Sequence, residues 1–354
     1  MAVERMLGLA AIALKSNFTR LALPYKLNFS VTYLCQSRCL TCNIWQIKPK
    51  NELKIDEINE IAEKNNYFKW IEITGGEVFL RNDIVDIARA FYKNSKHLYI
   101  MTMPTNSLCN PDMEISKIEE ILEMGIPRFA ITLSLDGYRE LHDKIRGING
   151  NYDKVINMYK RLLQLKTKYK NLYFVFGYTL SSMNQGKFFE TFNAVKNDIP
   201  KIKYNDFHIN LGQISSNYYR NDSMQIAPDS NSVSEEISKI VKSREGQFSA
   251  IQMIENTFLK NLSKYAATGV PPIKNRSIEA SVFLDSYGNL YPSIMWDLKL
   301  GNVRENNYSI TDILNSKAAL DAKKIISDGG DPKHWTSCEA YQSIVGNIPS
   351  IFSR

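Results

Sequence analysis

Lys26-Leu-Asn-Phe-Ser-Val-Thr-Tyr-Leu-Cys35-Gln-Ser-Arg-Cys39-Leu-Thr-Cys42 is the stretch that decides how this chain folds. Lys26 to Leu34 reads as a β-strand, and three cysteines crowd into the residues that leave it. Working outward, the same strand-then-helix alternation repeats. Strands are expected at Trp70-Thr74, Leu98-Met103, Arg128-Leu135, Leu172-Leu180 and Asp206-Leu211. Between them, apolar residues at three- and four-residue spacing mark helices near Ile55-Lys64, Asp83-Lys93, Ile115-Met124, Tyr152-Leu165 and Lys187-Val195. Alternating βα units imply a parallel sheet or barrel. Six units are too few to close a standard eight-unit barrel. The fold class is therefore read as α/β, an open, partial (β/α)6 barrel of the TIM type, with its site at the carboxyl ends of the strands. Cys35 follows the first strand, Gly75 the second and Asn106 the third.

The remainder divides into three further units. Residues 1–24 form an amphipathic amino-terminal helix and 25–230 the barrel core. Residues 231–271 form a helical linker, and 272–354, after the Pro271-Pro272 break, a small α+β carboxyl-terminal cap domain. That cap opens on two short strands, Ala280-Leu284 and Leu290-Ile294, joined by the hairpin turn Asp285-Ser286-Tyr287-Gly288-Asn289.

With 354 residues, 44% hydrophobic and 23% charged, the chain can bury a large core and leaves little room for long disordered regions. Its net charge of +7 comes from Lys and Arg spread along the sequence without a cluster, so nucleic acid is not an expected partner. Five cysteines, three of them together, do not form a secreted disulfide pattern, and a reducing cytoplasm fits better. The apolar run Met6 to Leu14 is far shorter than the ~20 residues that span a bilayer. Arg5 before it and Ala11-Ile12-Ala13 within it mimic a signal peptide, but export would expose the clustered cysteines to oxidation. The helix is expected to dock on the protein, with peripheral membrane contact through residues 1–20 as the alternative.

Thiolates are the usual ligands of iron–sulfur clusters, and the spacing C-x3-C-x2-C supplies three. Structural zinc normally takes four ligands with paired C-x2-C spacing, and Cys109, Cys338 and the histidines provide no second half nearby. Three cysteines leave one iron of a four-iron cluster without a protein ligand.

This spacing resembles the signature of the radical S-adenosylmethionine (SAM) superfamily. The resemblance implies one four-iron four-sulfur cluster on Cys35, Cys39 and Cys42, with SAM chelating the open iron and giving a 5′-deoxyadenosyl radical on reduction. The residue before the third cysteine is often aromatic in that family and is Thr41 here. Thr74-Gly75-Gly76-Glu77 resembles the family's GGE motif, whose backbone and carboxylate groups accept hydrogen bonds from the SAM ammonium. Asn106 sits where relatives place a ribose-binding side chain. By the same resemblance Ser134 and Arg146 contact the SAM carboxylate or ribose, Arg146 through its two-pronged guanidinium. The competing reading of Arg146 is a salt bridge to Asp136 or Asp143.

The carboxyl-terminal unit resembles the SPASM or twitch extension of peptide-modifying members, without its cluster ligands. Ser293 stands where a cysteine is common, and only Cys338 persists. One thiolate cannot hold a cluster, so a cap without an auxiliary cluster is expected. A solitary Cys109 beyond the third strand reads as a small packing residue, with hydrogen donation as its alternative. The resemblance implies an oxidoreductase or transferase fed by an electron donor such as ferredoxin or flavodoxin, acting on a peptide, a protein or a membrane-associated lipid. The competing class is a non-catalytic scaffold whose cluster is structural.

Overall fold

The computed structural model describes residues 2–244 and 249–352; Met1, residues 245–248 and residues 353–354, which the expected terminal and linker units include, lie outside the described residues. The elements in chain order are α1 (Ala2–Lys15), β1 (Lys26–Thr32), α2 (Ile55–Lys64), β2 (Trp70–Gly75), α3 (Ile84–Asn94), β3 (Ile100–Thr105), α4 (Pro111–Glu123) and β4 (Arg128–Ser134). There follow α5 (Glu140–Arg146), α6 (Asn151–Lys168), β5 (Leu172–Leu180), α7 (Phe188–Asp198), β6 (Phe207–Leu211), α8 (Ser230–Ser243) and α9 (Ala250–Thr268). The last are β7 (Ser281–Leu284), β8 (Asn289–Tyr291), β9 (Gly301–Asn302), α10 (Ile310–Leu314), α11 (Lys317–Ser327), α12 (Ser337–Val345) and α13 (Pro349–Phe352).

Strands β1 to β6 lie side by side and parallel in chain order, the arrangement expected of an open (β/α)6 barrel, and the sheet does not close. Beyond β1 the sheet continues. β7 pairs parallel with it, from Lys26 against Ser281 to Phe29 against Leu284, and the β7–β8–β9 meander follows. The carboxyl-terminal strands thus share one nine-stranded sheet with the core.

Two faces of this sheet differ in chemistry. Leu27, Phe29 and Val31 of β1, Ile71 and Ile73 of β2, Met101 and Met103 of β3, and Phe129, Ile131 and Leu133 of β4 are all buried in the main core under the helices. The residues alternating with them face the concave side, because successive strand side chains point to opposite faces. On β1 these are Lys26, Asn28, Ser30 and Thr32, every one buried. A closed barrel fills its interior with branched apolar side chains. This one lines it with polar groups.

Helix α4 starts earlier than the apolar periodicity suggested. Asn110 accepts hydrogen bonds from the backbone N–H groups of Asp112 and Met113, and Pro111 occupies the first helical position. That cap stabilises a polar first turn, Asp112 to Glu114, that periodicity alone does not mark. Among the described residues no helix is long and apolar enough to cross a membrane.

Candidate active site

Residues 35–42 leave β1 as an irregular loop held by backbone contacts on three sides. Gly76 donates to Thr32 O at 2.7 Å and Glu77 to Leu34 O at 2.8 Å, laying the exit of β2 against the exit of β1. No side chain fits there: a Cβ on Gly76 would come within 2.2 Å of Leu34 O, and one on Gly75 within 2.3 Å of Thr32 O. Arg38 and Leu40 donate to the carbonyls of Arg146 and Ile145, at 3.0 and 2.8 Å, docking the loop on the end of α5. From the third side, Asn221 Nδ2 donates to Thr41 O at 2.9 Å and Asn43 donates to Tyr219 O at 2.8 Å.

Each sulfur meets a hydrogen-bond donor. Asn106 Nδ2 stands 3.8 Å from Cys35 Sγ. The Ser37 hydroxyl and Arg146 Nη1 lie 3.2 and 3.7 Å from Cys39 Sγ. The Ile44 N–H is 3.5 Å from Cys42 Sγ. Burial pushes the Cys35 and Cys42 thiols up to about 12, with neighbouring thiols adding to the effect. Thiolates at these positions therefore need a positive partner, which a bound metal centre supplies. Among the described residues, no three His, Cys, Asp or Glu side chains gather around a single ion. In a cluster each thiolate binds a different iron, so its ligands stand apart, and donors aimed at the sulfurs are what such a centre uses to set its potential. The trio fits an iron–sulfur cluster better than a mononuclear site.

The expected SAM-binding residues surround this loop. Glu77 is buried, and both its oxygens are engaged, Oε2 by the Asn106 N–H at 2.7 Å and Oε1 by the Phe79 N–H at 3.2 Å. Its carboxyl group ties the loop after β2 to the loop after β3. Burial and the nearby Glu114 push it up to about 8. Asn106 Oδ1 accepts from the Leu108 N–H at 3.0 Å. Ser134 ends β4 on the concave face, in register with Gly177. Arg146 makes the ion pair to Asp136, at 2.7 Å, and faces Cys39 as well. Asp136 N–H donates to His142 Nδ1 at 3.1 Å, so the proton of this imidazole sits on Nε2 and faces Asn151 Oδ1 at 3.1 Å. Burial, with Arg146 beside it, drives this histidine down to about 3 and keeps it neutral.

Residues 213–222 follow β6 as an irregular segment. They form one wall of the site. The Tyr218 hydroxyl lies 3.1 Å from both Thr74 Oγ1 and Gly75 O. Beside Tyr33, a cavity of about 470 Å³ opens between this segment and the β7–β8 hairpin, lined by Arg220, Asp222, Asp285, Tyr287 and Tyr291.

Deeper on the concave face, Lys26 Nζ pairs with Glu72 at 2.6 Å, donates to Cys338 O at 2.8 Å and lies 4.2 Å from the Trp70 ring centroid. The Cys338 thiol donates to Glu72 Oε1 at 3.2 Å. Around this group, both amide atoms of Asn28 and the hydroxyls of Ser30 and Thr102 are buried without a hydrogen-bond partner among the described residues.

A model of the radical SAM superfamily matches residues 29–185. Its members are enzymes that use a four-iron four-sulfur cluster and SAM. The chain is 28% identical over 134 residues to Fe-coproporphyrin III synthase of Methanosarcina barkeri (strain Fusaro / DSM 804), an alignment covering 36% of this chain and 31% of that protein. It thus spans about a third of that relative. Among solved structures, SuiB of Streptococcus suis bound to S-adenosylmethionine superposes with a TM-score of 0.59 at 16% identity, over 89% of this chain and 70% of that one. Native anSMEcpe with bound AdoMet gives 0.60 at 14% identity, over 93% and 98%. At such identities the likeness establishes the fold.

Proposed function

We propose that the chain carries a single cluster on Cys35, Cys39 and Cys42, binds SAM with Gly75, Gly76, Glu77, Asn106, Ser134 and Arg146, and acts on a peptide or protein substrate inside the open barrel. When bound and reduced, such a centre supplies the electron that splits SAM and starts hydrogen abstraction from a substrate carbon. The chain's own part is positional. The Gly75-Gly76 contact and the α5 docking fix the cysteine loop, Asn106, Arg146 and Ile44 direct donors at its sulfurs, and Asp136 holds Arg146 in place.

The observation that carries this reading is the three-sulfur loop, each sulfur facing a donor, at the mouth of a barrel with a polar concave face. Unpartnered Asn28, Ser30 and Thr102 favour a substrate rich in donors and acceptors, as peptide groups are. A lipid tail would leave them unsatisfied, at roughly 1–3 kcal/mol for each buried group. Neighbours of this fold were solved with peptides, SuiB with its precursor peptide SuiA and anSMEcpe with the Cp18Cys peptide. The carboxyl-terminal unit serves as a SPASM-like cap without an auxiliary cluster. In support, Ser293 Oγ accepts from the Met295 N–H and the Cys338 thiol is turned to Glu72. A low-potential protein such as ferredoxin or flavodoxin delivers the electron.

Anaerobic reconstitution with iron and sulfide, followed by dithionite and SAM, tests the proposal. About four irons per chain and 5′-deoxyadenosine formation that disappears in Cys39→Ala are expected. Iron binding without SAM cleavage would favour the scaffold reading, and a count near eight would refute the single cluster.

A further inference from the structure

Helix α1 has two faces of unlike kind. One docks: Arg5 donates to Leu98 O at 3.1 Å with its guanidinium 4.9 Å from the Tyr92 ring centroid, and Leu9 and Ile12 pack against Leu21, Tyr25 and Ala280. Just past its end, Asn17 Nδ2 donates to Val345 O at 2.8 Å and fixes the helix on the carboxyl-terminal segment. The other face is apolar and open to solvent. Val3, Leu7 and Leu14 are 65%, 59% and 51% exposed, with Met6 between them and Phe18, 79% exposed, one turn further on. Positions 3, 7, 10, 14 and 18 follow a helical stripe, with Ala10 completing it. An interior-packing helix turns its apolar stripe inward; this one presents a second stripe outward, the mark of an interaction surface.

Basic side chains lie beside the helix and at its end. Lys15 ends the helix, and Lys69 Nζ lies beside Gly8, 3.5 Å from where a Cβ would stand. Lys93 and Lys96 belong to the segment Tyr92 to Leu98 that Arg5 grips. Among the described residues none of these four lysines forms an ion pair, and Glu4 is the single acid of α1. An apolar stripe with unpaired cations on the neighbouring surface complements an anionic lipid surface, where acyl chains take the stripe and headgroup phosphates take the lysines.

We infer that the exposed face of α1, with Lys15, Lys69, Lys93 and Lys96, docks the folded enzyme peripherally on an anionic membrane. The helix lies in the interface plane while its inner face stays on the protein. This docking does not depend on the reaction catalysed in the barrel, and each can fail without the other.

Co-sedimentation of the full chain with vesicles tests it. Phosphatidylcholine vesicles containing phosphatidylserine should bind the protein at least about tenfold more tightly than pure phosphatidylcholine vesicles, and added salt should weaken the binding. Leu7→Gln with Leu14→Gln should abolish sedimentation with an unchanged melting temperature, since both side chains are exposed. Lys93→Gln with Lys96→Gln should remove most of the phosphatidylserine preference. No binding to either vesicle, or binding that survives the double leucine variant, overturns the inference. So does a dimer in light scattering that the leucine variant dissociates, which would assign the face to a second copy of the chain.

Discussion

The Arg146 guanidinium stands 3.7 Å from the Cys39 sulfur. Its other terminal nitrogen is 2.7 Å from Asp136, and both side chains are largely buried, at 15% and 3% exposure. Of the two readings the sequence allowed, the salt bridge to Asp136 is present, and the same guanidinium also faces the cysteine loop. Removing one partner of a buried pair strands the other charge and costs about 3–5 kcal/mol. Arg146→Gln is therefore expected to lose that much stability in urea denaturation, and adding Asp136→Asn should recover part of it. A loss below about 1 kcal/mol would mean that the pair does not hold the loop.

Gly76 makes a sharper test of the cysteine loop. A methyl group there meets the backbone oxygen of Leu34 at 2.2 Å, which the loop can relieve only by moving. Gly76→Ala should leave the helices folded by circular dichroism yet lower the iron taken up on reconstitution. Gly186, with φ of +76° but nothing within 4 Å of its would-be Cβ, is the control. Gly186→Ala should cost only about 1 kcal/mol of backbone strain and leave iron uptake intact. Equal iron uptake in both variants would separate Gly76 from the loop.

Glu77 and Glu114 share a buried space behind that loop, and burial pushes both carboxyl groups up, Glu77 further through its neighbour's charge. Their folded values exceed those of the unfolded chain, so the native state holds the extra proton. The stability this contributes is complete below the ordinary carboxyl range and is lost as pH rises toward 8. Wild type should weaken between pH 5 and pH 8, by at most about 1.4 kcal/mol per pH unit for each proton. Glu114→Gln should flatten the profile by removing one ionising group. A wild-type profile already flat over that range would refute the raised carboxyl groups.

Why some of this was legible follows from range. Lys26–Thr32 and the cysteines after it are contiguous, and the six strands announce themselves by local pattern. The wall made by Tyr218 and Asn221 depends on bonds to Gly75 and Thr41, some 143 and 180 residues distant, and leaves no local trace in a Ser- and Asn-rich segment. The pairing of β7 with β1 is likewise hidden, because parallel partners need no turn to join them. The polar concave face was there to be read in Lys26, Asn28, Ser30 and Thr32, every second residue of the first strand. Such an alternation ordinarily signals a solvent-facing side. Here the polar side is enclosed, which only the curvature of the sheet reveals.

That enclosed side carries the last prediction. Lys26 has no exposed side-chain surface, and it joins Glu72 on β2 to the Cys338 carbonyl at the start of α12. It ties the barrel wall to the carboxyl-terminal segment. Lys26→Met keeps the length of the side chain but strands Glu72 and releases Cys338 O. Amide exchange in α12 should then quicken, while β4 and β5, paired with each other from Phe129 to Ser134, stay protected. Adding Glu72→Leu removes the stranded charge and should restore global stability, since apolar replacement of a buried pair is often neutral. It cannot restore the bond to Cys338 O, so fast exchange in α12 should persist in the double variant. Slow exchange there in both variants would show that α12 is held by its packing on α9 and that Lys26 serves only to neutralise Glu72.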